Sequence, residues 1–73
     1  MSKTIETIRI MLNGEEREVG AGRTVGQLLA DLELHPRMIV VEHNREILDR
    51  ALYDETEVLA GDTLELVHFV GGG

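Results

Sequence analysis

The chain has 73 residues, which gives room for one domain and little depth for a buried catalytic cleft. It is 42% hydrophobic with one Phe, one Tyr and no Trp, so its core must be aliphatic, and the absence of Cys excludes disulfides, thiolate metal sites and thiol chemistry. A formal net charge of -7 argues against nucleic acid, whose phosphates would be repelled, and favours partners with a basic docking surface.

Met1-Ser2-Lys3-Thr4 leads into a polar, alternating stretch with no long apolar region, so neither a signal peptide nor a membrane span is expected and the protein reads as soluble and cytoplasmic. Ile8, Ile10 and Leu12 alternate with Thr7, Arg9 and Met11, the period-two pattern of a strand with one buried face. Asn13-Gly14 follows, the preferred pair for a two-residue hairpin, and Glu15 to Val19 should return as a polar edge strand. Thr24 then reads as a helix N-cap with Gln27 three residues on, and Val25, Leu28, Leu29 and Leu32 form one apolar stripe over about Val25 to Leu32. Pro36 stops that helix.

Met38-Ile39-Val40-Val41 is a continuous apolar run, expected as an interior strand in the middle of the core. His43-Asn44-Arg45-Glu46 reads as a turn into a short Ile47-Leu48 strand. Asp49 to Thr56 is an irregular connection anchored by Leu52 and Tyr53, after which Val58 and Leu59 touch back onto the core. Gly61-Asp62 makes the last turn, and in the final strand Leu64, Leu66, His68 and Val70 alternate with Glu65, Val67 and Phe69. The pattern of hairpin, crossing helix and further strands predicts an α+β β-grasp (ubiquitin-like) roll, a mixed sheet of four to five strands with one helix across it. Residues 1–70 form the domain and residues 71–73 a flexible glycine tail.

That tail, Gly71-Gly72-Gly73, carries the most functional information. A frayed terminus is the plain reading. The alternative is a narrow arm without side chains, able to enter a tunnel too tight for a Cβ and to present the Gly73 carboxylate to another protein's active site. Val67 and Phe69, on the face opposite Leu64 and Leu66, either pack under the long connection or form a small apolar docking patch beside the tail, with Val70 at its base. Gly20-Ala21-Gly22 is a poor phosphate loop, because the next glycine, Gly26, stands one place late for G-x-G-x-x-G. His35, His43 and His68 lie in separate segments without metal-ligand spacing, and no metal site is expected. Glu42, Glu46, Asp49, Asp54, Glu55 and Glu57 read as solvated surface without a pocket to turn any pair into an acid and base.

The segment from Leu64 to Gly73, Val41-Glu42-His43-Asn44 followed by Glu46-Ile47, Asn13-Gly14 and Gly61-Asp62 together resemble the ThiS family of sulfur carriers, and more distantly the molybdopterin-synthase small subunit and ubiquitin. The resemblance covers nearly the whole chain after an extra arm, Met1 to Glu6. It implies a carrier and not an enzyme, monomeric when free, with no permanently bound cofactor. A ThiF-type adenylyltransferase would use ATP to turn the Gly73 carboxylate into an acyl-adenylate. A persulfide sulfur donor would then leave a Gly73 thiocarboxylate, and a ThiG-type thiazole synthase would take the sulfur for thiamine thiazole. Gly71, Gly72, Val67, Phe69 and Val70 would form the tail and partner-binding surface. A carrier for molybdopterin or another sulfur-transfer route, and a β-grasp binding module with an inert tail, remain as alternatives.

Overall fold

The computed structural model describes residues 6–68. Among these residues five strands, β1 (Thr7–Leu12), β2 (Glu15–Gly20), β3 (Ile39–His43), β4 (Glu46–Ile47) and β5 (Thr63–His68), form one sheet in the order β2-β1-β5-β3-β4, with one α-helix, α1 (Val25–Asp31). β1 and β2 are the expected hairpin, and β1 runs parallel to β5, which makes the sheet mixed. The expected α+β roll is therefore present, with β2 on an edge.

Local chemistry accounts for the boundaries. Asn13 and Gly14 turn with φ of 51° and 82°, both left-handed as the tight hairpin requires. At the start of α1 the Thr24 hydroxyl accepts from the Gln27 N–H at 3.1 Å while the Gln27 side chain accepts from the Thr24 N–H at 3.0 Å, a complete capping box. The helix closes with a left-handed Glu33 (φ 60°). The Glu33 N–H donates to the Ala30 carbonyl and the Leu34 N–H to that of Leu29, a Schellman ending formed without the usual glycine. That conformation costs a non-glycine residue about 1 kcal/mol.

The core lies between the sheet and α1: Ile10 and Leu12, Val25, Leu28 and Leu29, Ile39 and Val41, Tyr53, Val58 and Leu64 are all buried. The centre of the sheet is β5, not β3, because the parallel β1–β5 pairing inserts the last strand between the first and third. Although Met38 to Val41 is wholly apolar, Ile39 and Val41 enter the core while Val40 faces the other side, half-buried, and Met38 lies in a short 3-10 turn and is exposed. Among the described residues no element covers that second face of the sheet.

The long connection anchors differently from the expectation. Tyr53 is buried and its hydroxyl donates to the Ile39 carbonyl at 2.9 Å, whereas Leu52 is exposed. Val58 fills the core but Leu59 is 55% exposed, since successive side chains of this extended stretch point opposite ways. β4 falls one residue earlier than expected, and Leu48 packs against the core while Ile47 faces out. Arg50 donates to the carbonyls of Pro36 and Arg37 at 3.2 and 3.3 Å, tying the connection to the entrance of β3.

Candidate functional site

β5 is the strand from which the glycine tail departs, so its end positions whatever the tail does. β1 stops at Leu12 while β5 continues to His68, and Asn13 fills the gap. Its N–H donates to the Leu64 carbonyl at 2.9 Å, and its side-chain oxygen accepts from the Leu66 N–H at 2.7 Å, extending the ladder by one rung. On the other side β5 is paired along its length with β3, from His43↔Leu64 to Ile39↔His68. Asn13 was read from sequence only as a turn former; its bridging role spans 53 residues and leaves no local signal. Asn13→Gly, which keeps the left-handed turn and removes the acceptor, should cost about 1–2 kcal/mol in urea denaturation and speed amide exchange at Leu66. Asn13→Asp, which keeps an acceptor, should cost less than half of that.

The register sorts the end of β5 onto two surfaces. Leu64, Leu66 and His68 point to the helix side, where Leu12, Asn13, Arg17, Leu32, Leu34, Ile39, Leu66 and His68 line an open cleft of about 400 Å³. Val67 points to the uncovered face, 55% exposed and directly opposite Val40. The long connection does not cover it. The next row on that face is Glu65 opposite Glu42, with Ile47 opposite Glu42 on β4 and 73% exposed. Phe69, Val70, Gly71, Gly72 and Gly73 lie outside the described residues, as does the expected boundary between domain and tail.

At the far end of β5 the turn before it carries a buried polar cluster. Asp62 is 8% exposed, and its carboxylate meets His43 Nε2 at 2.8 Å, accepts from the Leu59 N–H at 2.9 Å and from the Asn44 side-chain amide at 3.3 Å. Asn44 in turn accepts from the Thr63 N–H at 2.9 Å. Burial pushes the Asp62 carboxyl up, but the Leu59 N–H, His43 and Asn44 together outweigh it and hold the group below the usual carboxylate range. The cluster fastens the β3–β4 turn to the start of β5. It is structural, and sequence reading had treated His43 as isolated and Gly61-Asp62 as a generic turn.

His35 caps the 3-10 turn at Pro36, accepting from the Arg37 N–H at 3.2 Å, and His68 lines the cleft. Among the described residues no group of three His, Asp or Glu is placed to hold a metal ion, and no helix is long and apolar enough to cross a membrane. Gly26 is a packing glycine: its N–H donates to the Tyr53 carbonyl at 2.9 Å, and a Cβ there would collide with the Asp54 carboxylate.

Comparison with known proteins agrees with this layout. A crystal structure of thiamine biosynthesis protein ThiS from Geobacter metallireducens superposes with a TM-score of 0.77 and 34% identity, covering 90% of this chain and 100% of that one. The sulfur carrier protein ThiS of Bacillus subtilis is 38% identical over 68 residues, which is 88% of this chain and 98% of that protein. A thiazole synthase of Paramagnetospirillum magneticum is 42% identical over 66 residues, 90% of this chain, and one of Magnetococcus marinus is 38% identical over the same length; the chain spans only 20% of either synthase. The ThiS family model matches residues 10–73, from the buried face of β1 to the last glycine, and the chain belongs to that family.

Proposed function

We propose that this chain is the sulfur carrier for thiazole formation in thiamine biosynthesis, and that the Gly73 carboxylate carries the sulfur. The observation that bears most weight is that the family match continues through Gly71-Gly72-Gly73 to the end of the sequence given. A carboxylate is a poor electrophile. Attack of the Gly73 carboxylate on the α-phosphorus of ATP, with pyrophosphate leaving, gives an acyl-adenylate whose leaving group is AMP. The terminal sulfur of a protein persulfide displaces AMP, and a thiol cleaves the resulting acyl disulfide to the thiocarboxylate, becoming a disulfide itself. A ThiF-type adenylyltransferase supplies ATP and positioning.

Delivery of the sulfur to a ThiG-type thiazole synthase is supported by the two thiazole synthases that contain a stretch similar to this chain. Residues 1–70 act as the address and residues 71–73 as the arm, with Val67, Phe69 and Val70 contacting the partner beside the arm's base. Intact-protein mass spectrometry after incubation with the adenylyltransferase, ATP, a persulfide donor and a thiol should show replacement of one oxygen by sulfur at Gly73. An unchanged mass under these conditions rejects the reading. Rescue of a thiamine auxotroph, without rescue of a molybdoenzyme defect, separates the thiamine route from the molybdopterin one.

A further inference from the structure

The uncovered face of the sheet places two carboxylates where an isolated sheet gains nothing from them. Glu42 on β3 and Glu65 on β5 are direct cross-strand partners, and like charges opposed in this way repel. Among the described residues no basic side chain comes within 4 Å of either; the ion pairs present join Arg9 to Glu16, Arg23 to Asp31 and His43 to Asp62. The same face carries exposed Ile47 at the β4 end of the acidic row, and Val40 with exposed Val67 in the adjacent row. Apolar groups flanking an unneutralised charge pair describe one half of an interface: an apolar contact with a cation to be supplied from outside.

We infer that this face docks the ATP-consuming partner through an arginine or lysine seated between Glu42 and Glu65, with an apolar contact on Val40, Val67 and Ile47. This rests on the carrier reading. A protein that binds a nucleoside triphosphate concentrates basic groups around that site, and an acidic face beside the tail is complementary to it. The spacing is specific. The Val40–Val67 row lies next to His68, the last described residue, and the acidic row stands two residues further in, about 7 Å along the strand. The partner's cation must therefore sit two residues nearer the start of β5 than its Val67 contact. The net charge of -7 adds long-range attraction to the same partner.

The test uses the full chain with Glu42→Gln, Glu65→Gln and the charge reversal Glu42→Lys/Glu65→Lys, assayed for ATP–pyrophosphate exchange by the adenylyltransferase at low and moderate salt, with the free chain's thermal midpoint read alongside. Each Gln variant should raise the KM for the carrier about tenfold at unchanged kcat, the size of one lost charge-assisted bond. Each should also raise the thermal midpoint of the free chain, because repulsion is relieved. The double reversal should raise KM about a hundredfold, and added salt should narrow the gap between variants and wild type. Gln variants with wild-type KM overturn the docking inference alone, as does an effect confined to sulfur delivery at the thiazole synthase. A wild-type chain that supports no exchange at all overturns the carrier reading and the docking assignment with it.

Discussion

Deletion of Gly72 and Gly73 should abolish adenylation and sulfur loading while leaving the fold intact. The reacting atoms belong to the last carboxylate, and removing two residues withdraws it by about 7 Å. A misplacement of about 1 Å already costs on the order of a hundredfold when a reacting group must be held in an attack geometry. The truncated chain should therefore form no acyl-adenylate above background. The buried core runs from Ile10 to Leu64, so none of it is lost. The change in stability should stay within about 0.5 kcal/mol, a shift in thermal midpoint of no more than about 4 °C. A milder variant, Gly72→Ala, should fold normally and lower kcat/KM, since a Cβ must enter a passage suited to glycine. Sulfur loading of the truncated chain, seen by intact mass, would mean that some other atom carries the cargo.

What sequence alone could disclose follows the range of the interactions involved. The hairpin at Asn13-Gly14 and the capping box of Thr24 and Gln27 are determined within four residues, and both formed as read. Alternation placed Leu64 and Leu66 opposite Val67 because a strand's side chains have no other choice. It failed at Met38 to Val41, where an unbroken apolar run hides which side is covered, and at Leu59, whose neighbour Val58 is the one that packs. The parallel β1–β5 contact, the Asn13 bridge to Leu66 and the His43–Asp62 pair join residues 19 to 53 apart and have no periodic signature. Gly71-Gly72-Gly73 stands out in the sequence by composition alone, and lies outside the described residues.

Loss of the Asp62 carboxylate should have a large effect on stability. In Asp62→Ala the Leu59 N–H, His43 and the Asn44 amide lose their shared acceptor in a site that water hardly reaches. Leaving such donors unpaired should cost about 3 kcal/mol, and the thermal midpoint should fall by roughly 12–24 °C. Asp62→Asn keeps one acceptor oxygen and gives up the charge, so it should cost about half as much. The pH dependence identifies the cause. The folded-state pKa of Asp62 lies below its unfolded value, so the stabilisation is complete above the unfolded pKa and disappears as pH falls through the folded one. Wild type and Asp62→Asn should accordingly differ most near neutrality and converge as pH drops below about 4, where a protonated Asp62 becomes a near equivalent of Asn. A gap that stays constant down to strongly acidic pH would assign the loss to packing, because only the charged form of Asp62 makes the contribution that titrates. Because the cluster anchors the start of β5 and not its end, any Asp62→Asn chain that remains folded should still present its tail and load sulfur at the wild-type rate.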